Sequence, residues 1–232
     1  MRRTASLIAL ITVFASTALA EPKMISRAED HLEPDASALG GGRGSPKYDM
    51  ELREALGEAF FSETAIRMIA MPAFVSVYAV GLRKMGAATD TPYHVVALTL
   101  ANPMKAIQPV TVDNSGNLHA PPLPWKQDVT RCEISISGKL GDRIVEIWRK
   151  MLMRTRYPAQ YTSGVDGAVY EFSMFVRGLG DIAGHIWLPD RNSSTGALVT
   201  LGDELYGICT TRKDASMDQL EKLTAELEHR LN

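Results

Sequence analysis

Apolar positions change their spacing several times along this chain, and each spacing names an element. Residues 129–137 alternate, with Thr130, Cys132, Ile134 and Ile136 on one side and Val129, Arg131, Glu133, Ser135 and Ser137 on the other. That period of two predicts a half-buried antiparallel strand. The spacing then lengthens. Ile144, Ile147, Trp148, Met151 and Leu152 recur at i, i+3, i+4, i+7 and i+8, the stripe of an amphipathic helix, with Asp142 as its expected cap and Pro158 beyond its end. Alternation returns over 168–177, where Tyr170, Phe172, Met174 and Val176 share a side, and Gly178-Leu179-Gly180-Asp181 predicts a hairpin into 182–188. Two more helices follow. One covers 195–209 and carries Leu198, Leu201, Leu205, Ile208 and Cys209. The other begins at Ser216, with Gln219 completing a capping box and Leu220, Leu223, Leu227 and Leu231 as its stripe.

Upstream, Leu52, Leu56, Ala59 and Phe60 predict a helix over 49–71, stopped by Pro72. β-rich apolar runs at 73–84, 93–101 and 107–113 are separated by turn signals, among them Asp113-Asn114-Ser115-Gly116-Asn117. The three prolines between His119 and Trp125 predict an irregular loop. The order is helix, strands, helix, hairpin, two helices. It predicts an α+β domain over 48–232, with a single antiparallel sheet of about six strands and helices packed on one face.

The N-terminal residues read differently. Arg2 and Arg3, an apolar run from Leu7 to Ala15, and the small residues ending in Ala18-Leu19-Ala20 fit a secretory signal peptide over 1–20, cleaved after Ala20. The expected location is periplasmic or secreted. Residues 21–47 are polar and hold Pro22, Pro34 and the run Gly40-Gly41-Gly42-Arg43-Gly44, a composition that predicts a flexible tether. The glycine run lacks the Lys-Ser/Thr ending of a phosphate loop. No later stretch reaches membrane-span length.

A formal net charge of −2 argues against nucleic acid as a general partner. The expected partner is another protein. Cys132 and Cys209, the chain's two cysteines, each lie on an apolar face, one on a strand and one on a helix. In an oxidising compartment they predict a disulfide.

Candidate chemistry is sparse. His31, His94, His119, His185 and His229 show no metal-ligand spacing, so neither a metal nor a cofactor is expected. The 113–117 turn lacks the closing bidentate Glu of a calcium loop. Arg149, Lys150, Arg154 and Arg156 read as a solvated helix face. Gly-x-Ser-x-Gly is absent. Ser173, Glu171 and His185 could form a nucleophile, carboxylate and base if the hairpin register brings them to one face, but a slip of one residue would separate them. Asp166-Gly167 reads as a turn into an aromatic strand. Two function classes follow. The first is an exported protein-binding module of inhibitor or immunity type. The alternative is a cell-envelope hydrolase whose catalytic set is drawn from Glu171, His185, Asp166 and Glu133.

Overall fold

The structure is a computed structural model that describes residues 30–35, 46–86, 91–101, 111–112, 115, 118–119, 128–158, 167–210, 212 and 215–232. The expected leader at 1–20, the glycine run at 40–44 and Asp166 lie outside the described residues.

Seven strands form one antiparallel sheet. They are β1 (Glu33–Pro34), β2 (Thr64–Pro72), β3 (Tyr78–Lys84), β4 (Tyr93–Leu100), β7 (Val129–Ile136), β8 (Ala168–Val176) and β9 (Gly180–Trp187), in the order β1-β9-β8-β2-β3-β4-β7. The short strands β5 (Thr111–Val112) and β6 (Leu118–His119) pair separately. Among the described residues four α-helices accompany them: α1 (Pro46–Ala55), α2 (Gly138–Met153), α3 (Ser194–Cys209) and α4 (Met217–Leu231). The fold is therefore α+β with a single sheet.

The main core lies between one sheet face and α2, α3 and α4. The stripe read from sequence on α2 is buried: Ile144, Ile147, Trp148, Met151 and Leu152 meet Ile66, Met68, Phe172, Met174 and Ile186 of the strands. The edge of the Trp148 ring meets Phe172, with centroids 5.5 Å apart. Arg143 of α2 forks onto Glu228 of α4 at 2.6–3.0 Å, fixing one helix against the other. The cap of α2 is Ser137, whose hydroxyl accepts from the Leu140 amide at 3.2 Å, and not Asp142. Asp142 instead accepts from the Tyr93 hydroxyl at 2.7 Å. The expected cap of α4 is present: Ser216 accepts from the Gln219 amide at 3.1 Å. Of the basic group read from sequence, Arg149 pairs with Glu146 in the preceding turn, while Lys150 donates to Asn232 and Arg154 to the Leu231 carbonyl at the C-terminal end of α4.

Three expectations change. The helix foreseen over 49–71 ends at Ala55, continues as a 3-10 turn (Gly57–Phe60), and gives way to β2. The segment Thr64–Met71 holds two Ala, two Met and one Arg, residue types that favour helices, but it pairs with β3 on one side and β8 on the other. Two ladders outweigh that local preference. The tether also loses its middle: residues 30–35 join the sheet through β1, and His31, Leu32, Glu33 and Asp35 are buried. Finally, the helices do not share one face. Leu52 of α1, Leu56 at the junction after it and Ala59 of the 3-10 turn cover the opposite face, over Ile69, Ala79, Val96, Leu98 and Leu100. β4 is apolar on both sides, so both faces of the sheet centre need a cover.

Cys132 of β7 and Cys209 of α3 have their sulfurs at bonding distance and their Cα atoms 5.8 Å apart, as the two apolar faces imply. Because β7 pairs only with β4 among the described strands, this link ties an edge strand to the end of a core helix.

Candidate functional site

The face covered by α1 over β2, β3 and β4 changes character toward β8, β9 and β1. Strand register fixes what stands there. Arg67 faces Ser173, Ile69 faces Glu171, Glu171 faces His185, and His185 faces Glu33. Alternate residues share a side, so this half of the face carries Arg67, Glu171, Ser173, Phe175, Asp181, His185 and Glu33.

The structure therefore brings together two of the four candidate residues read from sequence, Glu171 and His185, and adds two acids from the supposed tether. His185 is buried, with its Nε2 3.6 Å from Glu33 and its Nδ1 3.9 Å from Asp35, both carboxylates being buried too. Ser173 shares the face, but its direct partner across β9 is Ala183. Among the described residues no hydrogen bond joins Ser173 to His185, and a nucleophile needs its base within about 3 Å.

Glu133 belongs elsewhere. It lies on β7, five strand steps from β9, which at the usual spacing is roughly 24 Å. There it accepts from His94 Nδ1 at 2.6 Å and from Arg131. Arg131 also forks onto Glu58 at 2.7 Å through each of two nitrogens, and Arg83 reaches the same carboxylate at 3.3 Å. The hydrogen bonds from Arg131 hold both Glu58 and Glu133 below the usual carboxylate range. This is a charge network tying the 3-10 turn to β3, β4 and β7. It does not converge with His185.

A concave feature of this face lies beside the His185 row. A cavity of 540 Å³ opens between the 3-10 turn and strands β2, β8 and β9, a volume in the range of small-ligand sites. Arg53, Arg67, Phe60, Phe61, Ser173, Phe175 and Asp181 are among its walls. Phe60 carries a guanidinium over its ring from each side of the chain, Arg67 at 4.2 Å and Arg53 at 5.0 Å from the centroid. Phe61 and Phe175 are 51% and 62% exposed. Burial pushes the Arg67 guanidinium down to about 10, and the neighbouring charge of Arg53 adds to this. At neutral pH it remains a cation.

The sequence reading missed Arg53, Arg67 and the phenylalanines. One signal was present: Arg67 interrupts the apolar run Ala65-Ile66-Arg67-Met68-Ile69-Ala70. An arginine inside a central strand must reach a surface, a partner or a cavity. Among the described residues no group of His, Cys, Asp and Glu is arranged to hold a metal ion. Chemically, the cavity offers cationic donors and aromatic walls. Among the described residues its one carboxylate is Asp181, and no histidine lines it. No family model, curated protein or solved structure matches this chain.

Proposed function

We propose that the chain is an exported binding module that seats part of another protein in the cavity between the 3-10 turn and strands β2, β8 and β9. The carrying observation is the make-up of that cavity: two arginines stacked on Phe60, with exposed aromatic side chains, Phe61 and Phe175, among its walls. Exposed aromatic groups beside arginine are characteristic of protein-recognition surfaces. Export is supported by the N-terminal sequence pattern and by a cysteine pair at bonding distance. No helix among the described residues is long and apolar enough to cross a membrane.

The test is site-specific crosslinking in the native cell. A photoreactive phenylalanine analogue at position 61 or 175 should give one discrete protein adduct. The same analogue at Phe74, which is 79% exposed in the turn between β2 and β3, serves as the control and should give none. Absence of an adduct at both 61 and 175, or an identical pattern from Phe74, would sink the proposal.

One observation favours a second reading, an envelope hydrolase. Glu171 stands directly opposite His185, with Ser173 on the same face. On that reading a folded His185→Ala variant loses turnover of an ester or cell-wall substrate that the unmodified protein hydrolyses.

A further inference from the structure

Resting on the reading of the cavity as a binding site, we infer that its occupant is a carboxylate carried beside an apolar group: an acidic residue, or a chain terminus, flanked by an aromatic or aliphatic side chain of the partner. The inference starts from Arg67. Its backbone is held by ladders on both sides, to β3 and to β8, so the guanidinium is delivered to a fixed place. The indole of Trp148 donates to the Arg67 carbonyl at 3.4 Å from beneath the sheet. The guanidinium has five N–H donors. One nitrogen, Nη1, donates to the Ala59 carbonyl at 3.2 Å, and the central carbon of the group stands over the Phe60 ring, 4.2 Å from its centroid.

Among the described residues no carboxylate comes within ion-pair distance of Arg67. Asp181 and Glu171 are close enough to favour its charge but do not pair with it. A half-buried cation with no salt bridge among the described residues is an unfavourable arrangement in a folded protein. The cavity on which it opens is where a partner can arrive. A planar guanidinium fixed at one face matches the two oxygens of a carboxylate. Arg53 adds positive charge from α1, so among the described residues the walls hold two arginines and one carboxylate. Phe60, Phe61 and Phe175 supply apolar walls next to them, which selects against a small hydrated anion and for one with an apolar neighbour.

The probe is 3-phenylpropionate, with 3-phenylpropionamide as its uncharged match, each titrated into the mature protein at pH 7 by NMR chemical-shift mapping. The acid should bind about tenfold more tightly than the amide, with shifts at Arg67, Phe60 and Phe175, and the preference should shrink as salt is raised. Arg67→Gln should remove the preference and leave amide affinity unchanged. If that variant does not fold, Arg53→Gln on the helix wall should reduce the preference instead. Two peptides then separate the sources. Acetyl-Phe-Glu-amide presents a side-chain carboxylate and acetyl-Gly-Phe a terminal one, and preferential binding of either supports the inference and says which source applies. Equal binding of acid and amide would overturn the carboxylate inference while leaving the cavity a binding site. Failure of both to bind overturns it as well, and only the crosslinking result at 61 and 175 then decides whether the broader reading survives.

Discussion

Removing the Cys132–Cys209 link is the perturbation whose size is best defined by the structure. The two residues are 77 positions apart, and the enclosed chain includes β7's own helix α2 and the β8–β9 hairpin. Crosslinking a loop of that length lowers the entropy of the unfolded chain by an amount equivalent to about 4.5 kcal/mol at room temperature. For a domain of this size each kcal/mol moves the melting temperature by roughly 2–4 °C, so the double variant Cys132→Ala/Cys209→Ala should melt about 9–18 °C below the oxidised protein. Cys209 is buried, so losing its sulfur also leaves a small void. Reduced wild-type protein, which keeps both sulfurs, separates the two effects: most of the loss should already be present on reduction. Circular-dichroism melts of the three species, with intact mass recording the redox state, make the comparison. A double variant within about 1 kcal/mol of the oxidised protein would refute the reasoning. So would two free thiols in protein taken from an oxidising compartment.

Other substitutions test other parts of the fold. Leu32→Ala should lose about 2–5 kcal/mol in urea unfolding, because Leu32 is fully buried in the main core; an unchanged midpoint would mean that residues 30–35 are not docked. Gly196→Ala places a Cβ against the Asp190 carbonyl and 2.8 Å from Arg191 Cα, both backbone, so the start of α3 must shift at a loss of about 1–3 kcal/mol, read by the same assay. Asp203 accepts a hydrogen bond from the Tyr78 hydroxyl, and burial raises its pKa above the ordinary carboxylate value. A raised acid favours the folded state most when protonated, so its contribution is full below the ordinary carboxylate pKa and is lost as pH rises through the folded value. Asp203→Asn keeps an acceptor for Tyr78 without the charge. It should melt at or above wild type at pH 7, with the gap closing toward pH 4, and a clearly lower melting temperature at pH 7 would refute this.

The sequence made the C-terminal half of the fold readable because its elements are amphipathic in one direction. α2, α3 and α4 each bury the stripe that their period announces, and Cys132 and Cys209 could be paired from the faces they share. β2 was misread because its residues favour a helix and one of its two strand partners, β8, lies about 100 positions away. Residues 30–35 were misread for the opposite reason: two paired residues leave no periodic signal, and their burial depends on β9 being present. The same dependence hid the cavity. Arg53, Arg67 and Phe175 come from three separate elements, and nothing local says that they meet. Glu171 and His185 were named from residue type, but their opposition depended on a hairpin register that only the turn at Gly178–Gly180 decides.

The strand order has a further consequence for how the chain reaches this structure. β2, β3 and β4 are neighbours in sequence and in the sheet, and so are β8 and β9. Between these two groups runs a single seam, β2 against β8, which sets Ile66 beside Met174, about 100 positions away. The hairpins can form early and locally. The seam must wait for a long loop to close, and such pairings slow folding. Trp148 and Phe172 are packed edge to face across this region, so tryptophan fluorescence should report the seam closing after the hairpins have gained their backbone signal. Until then β2, a central strand in the finished sheet, presents an open edge, and that interval is when the chain is most exposed to pairing with another copy of itself.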